Sequence, residues 1–191
     1  MSNLAVFLDR DGTLNEDPGY ISNPESVVLF PETGEALSLI KKYGFLLIVI
    51  SNQSGIARKL MTSKDVDAVN EKINSLLSEH KVKIDAFYYC PAHPDFSKEE
   101  ECECRKPNPK LVIDAAKEFN IDLSKSYFIG DTVADIQCAK NAGVKSILVK
   151  TGKGEESFSI LQKENNFPSF VAVNFIEAVN FIIKDFSGVY N

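Results

Sequence analysis

What this chain lacks narrows its nature first. No run of apolar residues is long enough to span a bilayer, so no membrane is expected as a partner. Lysine and arginine together number 21 against 27 aspartates and glutamates. The resulting charge of −6 offers no basic face, which argues against nucleic acid and anionic lipid surfaces alike. Linkers, internal repeats and low-complexity tracts are missing too, so nothing divides the 191 residues, and one domain over 1–191 is expected. The four cysteines are too few for a disulfide scaffold at this size. No secretory leader is expected, because a strand begins at Leu4 and polar residues of functional type follow by Asp9. These exclusions leave a cytoplasmic globular enzyme, expected to act as a monomer.

What is present is a regular alternation of strand-like and helix-like segments. Leu4–Leu8, Phe45–Ile50, Ala86–Tyr89, Tyr127–Ile129, Ser146–Val149 and Phe170–Val173 read as short apolar strands. Between them, apolar residues recur at helical spacing over Pro31–Tyr43, Ser63–His80, Leu111–Phe119 and Val133–Ala142, and the tail adds two more helices. Strands alternating with helices of this length imply a doubly wound, Rossmann-like parallel sheet with helices on both faces. The segments after the first and second strands have no room for a cap domain. Any pocket at the strand ends must be closed by loops, chiefly 13–30 and 90–106.

Polar residues gather at the strand ends, where open α/β sheets bind their ligands. Asp9-Arg10-Asp11-Gly12-Thr13 follows the first strand. Two alternately spaced carboxylates there can bind a hard cation and divide the roles of nucleophile and proton donor. Ser51-Asn52-Gln53-Ser54-Gly55 ends the second strand and offers hydroxyl, amide and backbone donors to a phosphate, although a plain polar turn would look similar. Arg105-Lys106-Pro107 supplies cations that could neutralise phosphate charge or simply sit in solvent. Gly130-Asp131 ends another strand, with Asp135 one helical turn beyond. Asp131 could complete an oxygen-rich Mg²⁺ site or could cap the next helix.

A second cluster lies in the long polar loop. Cys90, His93, Cys102 and Cys104 bring three thiols and an imidazole within fifteen residues, a set suited to a closed, structural Zn²⁺ site. Such an ion would order the loop and aim Arg105 and Lys106 inward. Three reduced surface cysteines and an exposed histidine are the alternative.

The four strand-end motifs, taken in order, resemble those of the haloacid dehalogenase phosphatase superfamily. Within it, Asp17-Pro18-Gly19-Tyr20, Asn52 to Arg58 and Tyr89-Cys90-Pro91 are similar to the capless branch of D-glycero-D-manno-heptose 1,7-bisphosphate 7-phosphatases and histidinol-phosphate phosphatases. The resemblance implies a Mg²⁺-dependent phosphomonoester hydrolase acting on a small sugar phosphate. Asp9 would attack phosphorus to give an aspartyl-phosphate, and Asp11 would serve as acid and then base. Asp9, Asp131 and the backbone carbonyl of Asp11 would hold the metal, with Asp135 behind them. Ser51, Asn52, Gln53, Ser54, Arg105 and Lys106 would bind phosphate, and Asp17, Gly19 and Tyr20 would form the substrate loop.

Two departures stand out. The branch usually has its histidine two residues after the first cysteine, where this chain has Ala92, so His93 is expected to serve instead. Heptose bisphosphate phosphatases often carry a lysine after the fourth-motif aspartate, and this chain has Thr132. Arg105, Lys59 or Arg58 could then supply the missing charge. The heptose 7-phosphatase reading competes with histidinol-phosphate phosphatase, a nucleic-acid 3′-phosphatase and an inactive, zinc-ordered interaction module.

Overall fold

Alternation along the first strand creates the two faces of the sheet. In β1 (Ala5–Leu8), Val6 and Leu8 enter one apolar layer, while Ala5 and Phe7 enter the other. The structure, a computed structural model, describes residues 2–188. After β1 follow α1 (Thr33–Lys42), β2 (Leu46–Asn52), α2 (Ser63–Leu77), β3 (Ala86–Cys90) and α3 (Lys110–Glu118). Then come β4 (Tyr127–Gly130), α4 (Val133–Ala142), β5 (Lys145–Val149), α5 (Gly154–Lys163), β6 (Phe170–Ala172) and α6 (Phe175–Ser187).

All strand pairs are parallel, in the order β3-β2-β1-β4-β5-β6. The apolar faces of α1, α2 and α6 cover one side of the sheet, and those of α3 and α4 cover the other. Leu161 of α5 packs on Leu148 and Ile136 at the β5 side. The order reverses between β1 and β4, since the chain winds outward from β1 to β3 and then crosses to β4. Their carboxyl ends therefore diverge around a crevice, the usual ligand site of such sheets. The doubly wound parallel fold read from the sequence is what forms. No cap is evident among the described residues, and none of their helices is long and apolar enough to cross a membrane.

The boundaries differ where side chains intervene. β2 continues past Ile50 because Ser51 and Asn52 still pair with Tyr89 and Cys90 of β3. That holds both polar residues in the sheet rather than in a turn. α1 starts at Thr33, not Pro31, with the Thr33 hydroxyl donating to the Leu14 carbonyl at 2.9 Å. The loop after β3 contains a short 3₁₀ segment, Glu99–Cys104. α4 opens on a capping box, Thr132 with Asp135, and stops at Gly143 with φ of 74°.

Candidate active site

β1, β4 and the 105–107 turn bring Asp9, Asp131 and Lys106 together at the crevice. Asp9 follows β1 directly, its N–H donating to the Ile129 carbonyl of β4 at 2.9 Å. Lys106 is 4% exposed, and its ammonium donates to Asp9 Oδ1 at 2.6 Å and to the Ile50 carbonyl at 2.7 Å. The same Nζ stands 2.6 Å from Asp135 Oδ1. Asn52 fixes this turn from β2, accepting the Lys106 N–H at 3.0 Å and donating to its carbonyl at 3.2 Å. Asp131 takes the Lys153 N–H at 2.8 Å and the Thr13 hydroxyl at 3.3 Å. The N-cap of α4 is Thr132, so Asp131 is not spent on capping.

Asp9, Asp131 and Asp135 each bring an oxygen within 4.8 Å of the others, all buried. A single ammonium among three carboxylates leaves an excess of negative charge in a poorly solvated space. Burial, reinforced by Asp135, pushes the Asp131 carboxyl up to about 6. Asp9 is raised well above the usual range by burial and by Asp135 and Asp131, against the pull of Lys106. Burial disfavours the charged form of Lys106, but Asp135 and Asp9 outweigh it and hold the ammonium protonated. An all-oxygen, over-negative cluster is chemistry that fits a hard divalent cation such as Mg²⁺. Gly12 permits this packing: with φ of 84°, it would set a Cβ 2.4 Å from Asp131 Oδ2.

Asp11 is held differently. The Arg10 guanidinium grips it with two bonds, Nε to Oδ1 at 3.0 Å and Nη2 to Oδ2 at 2.8 Å. Asn15 and Gln53 add donors at 2.9 and 3.0 Å. Burial raises its proton affinity, yet Arg10 and these bonds win and keep the carboxyl below its ordinary value. Arg10 is itself 1% exposed and reaches Asn70 of α2 at 3.2 Å. Sequence reasoning passed over Arg10, Asn15 and Asn70. An arginine between two motif aspartates was the available signal for the first, but Asn70 carried none.

The crevice opens into a cavity of about 420 Å³. Asp9, Asp11, Asp17, Gly19, Tyr20, Ser51, Asn52, Gln53, Ser54, Arg105, Lys106 and Asp131 all line it. Gln53 bridges Asp11 to the Ser51 hydroxyl, the latter at 2.6 Å. Asp135 lies behind the lining, fully buried. Thr132, Ala134 and Lys153 also line the cavity, though the sequence did not single them out as ligand-binding residues. Lys59 lies outside this lining, as does Arg58.

The expected zinc-ordered loop does not form. Cys90 and Cys104 are joined as a disulfide, and Cys102 is free. His93 turns elsewhere, with Nε2 2.9 Å from Arg58 Nη2 and Nδ1 accepting the Asp95 N–H at 3.1 Å. One residue further along than the usual histidine, its ring packs against Phe96 at 5.5 Å between centroids. The four side chains are thus not a tetrahedral set. The disulfide and the 3₁₀ segment order the loop instead, and the Arg105 guanidinium ties it down through the Ala92 carbonyl at 3.1 Å.

Known proteins are similar to this chain in sequence and fold. A family model described as HAD-hyrolase-like matches residues 103–178. The D-glycero-D-manno-heptose-1,7-bisphosphate 7-phosphatase of Chlorobaculum tepidum is 42% identical over 183 residues, 91% of each chain. That of Escherichia coli K12, named for the β-anomer, is 42% identical over 154 residues, covering 78% of this chain and 80% of its own. The crystal structure of D,D-heptose 1,7-bisphosphate phosphatase from B. bronchiseptica, complexed with magnesium and phosphate, superposes with a TM-score of 0.85 at 26% identity. It covers 95% of this chain and 99% of its own. With the strand-end carboxylates, the buried lysine and these relatives together, the chain belongs to the haloacid dehalogenase-like phosphatase family.

Proposed function

We propose that this protein is a Mg²⁺-dependent phosphatase that removes the 7-phosphate of D-glycero-D-manno-heptose 1,7-bisphosphate through an aspartyl-phosphate on Asp9. One observation carries the chemistry: Asp9, Asp131, Asp135 and Lys106 converge, buried, where β1 and β4 part. The 42% identity to a heptose bisphosphate phosphatase across 91% of the chain supports the substrate. We take residues 1–191 as one phosphatase unit, acting as a cytoplasmic monomer on a small sugar phosphate.

In the first half-reaction an Asp9 oxygen attacks phosphorus as the bond to the sugar oxygen breaks. The leaving oxygen takes a proton from Asp11. The four donors around Asp11 keep it ionised at rest; as the phosphate charge enters, its proton affinity rises, one of those donors gives way, and Asp11 takes up from solvent the proton it then passes on. In the second half-reaction Asp11 accepts a proton from the water that attacks the aspartyl-phosphate, restoring Asp9 and freeing phosphate. Lys106, beside Asp9, and Ser51, at the end of β2, stabilise charge on the transferring group. A magnesium ion held by Asp9, Asp131 and the Asp11 carbonyl would neutralise charge between nucleophile and phosphate. Asp135 keeps Lys106 charged and aimed, while Arg10 and Gln53 orient Asp11.

The test is phosphate release from heptose 1,7-bisphosphate and from histidinol phosphate, with and without Mg²⁺. The heptose ester should turn over faster by at least tenfold, and Asp9→Asn should abolish the activity while the circular dichroism spectrum stays unchanged. Faster release from histidinol phosphate would overturn the substrate, and an active Asp9→Asn protein would overturn the nucleophile.

A further inference from the structure

The mouth of the cavity carries a cation without a strong partner. Lys153 precedes α5, and its backbone N–H is pinned to Asp131 Oδ2 at 2.8 Å. The turn around it is clamped to the β1 loop, the Thr151 hydroxyl donating to the Gly12 carbonyl at 2.7 Å. Gly152, with φ of 54°, would place a Cβ 2.3 Å from Asp131 Oδ2, so this turn lies hard against the carboxylate cluster. Lys153 is among the residues that line the cavity. Its ammonium, on a residue side chain 64% exposed, stands 3.5 Å from Asp17 Oδ2 of the 13–30 loop. With its lysine end largely in solvent, a pair at that separation is weak and exchangeable.

Of the other cations that line the cavity, Lys106 is fully committed and Arg105 is tethered at one nitrogen. Lys106 is held by Asp9, Asp135 and the Ile50 carbonyl. Arg105 spends one guanidinium nitrogen on the Ala92 carbonyl. Thr132 has no charge, and its hydroxyl donates to Asp135 Oδ2 at 2.6 Å. A substrate with a phosphate at each end needs positive charge at the mouth as well as at the reacting end.

We propose that Lys153 is the anchor for the phosphate that is not cleaved, exchanging Asp17 for that group when substrate enters. This rests on the bisphosphate reading above. Its rigid backbone fixes where the four-carbon stem starts, and the flexible stem lets the ammonium follow the distal group.

The experiment compares kcat/KM for heptose 1,7-bisphosphate with that for heptose 7-phosphate, which lacks the distal group, at saturating Mg²⁺. In Lys153→Met the ratio should fall at least tenfold relative to the wild type, mostly through KM for the bisphosphate. Lys153→Arg should keep the ratio within about threefold, since it retains the charge. An unchanged ratio in Lys153→Met overturns the assignment, as does an equal fall in Lys153→Arg, which would mark a packing role. A wild-type enzyme with no preference between the two esters would overturn the bisphosphate reading and this proposal with it.

Discussion

Arg10 is the residue on which Asp11 depends. It is among the largest side chains wholly removed from solvent, and it is neutralised by the neighbouring carboxylate. Breaking a buried pair leaves one charge without compensation, which costs about 3–5 kcal/mol. Asp11 is 18% exposed and keeps the Asn15 and Gln53 donors, so Arg10→Met should lower unfolding free energy by less than that, about 2 kcal/mol at pH 7, measured by urea denaturation. The pH dependence follows from Asp11, whose folded proton affinity is lowered below its unfolded value. Its stabilisation is present above the ordinary carboxylate range and is lost as the pH falls through the folded value. The difference between wild type and variant should thus shrink below about pH 4. A deficit that is constant from pH 7 to pH 3 would remove the ion pair as its cause.

At the scale of elements, two loops were read as ligand machinery, and they fare differently. The 13–30 segment begins as a tight turn, Gly12 N–H bonding to the Asn15 carbonyl at 2.7 Å, and brings Asp17, Gly19 and Tyr20 to the cavity. The 90–104 loop has the thiols the sequence promised but closes through sulfur–sulfur contact. Thiol titration of denatured protein, purified without reductant, should return two thiols, Cys102 and Cys138, and four after reduction. Four thiols without reduction, together with about one zinc per chain, would restore the metal-ordered loop. The spacing of Cys90, Cys102 and Cys104 was legible. The orientation of His93 was not, because ring packing on Phe96 and contact with Arg58 decide it.

Across the whole molecule, the strand order makes the site. Neighbouring β1 and β4 come from residues more than a hundred positions apart, yet pairing Leu8 with Ile129 brings Asp9 and Asp131 to one rim. The charge they concentrate there should make cation binding stabilising. Ligand at a hundred times its dissociation constant adds about 2.7 kcal/mol, roughly 5–10 °C in Tm for a chain of this size. Saturating Mg²⁺ should produce a rise of that order by differential scanning calorimetry, and Asp131→Asn should remove most of it. An equal rise in the variant would take Asp131 out of the metal site.

The sequence by itself determined the alternation of strands and helices, and with it the parallel sheet and the rim at its strand ends, where Asp9, Ser51, Lys106 and Asp131 were candidates. Period-two burial and strand-end chemistry are local properties, readable residue by residue. Only the tertiary structure decided which charges are paired. Arg10 takes Asp11, Lys106 takes Asp9 and Asp135, and Lys153 is left at the mouth with Asp17. The lysine partnerships join segments distant in the chain, which no spacing encodes, and even the adjacent pair Arg10–Asp11 is set by the burial of Arg10 against Asn70.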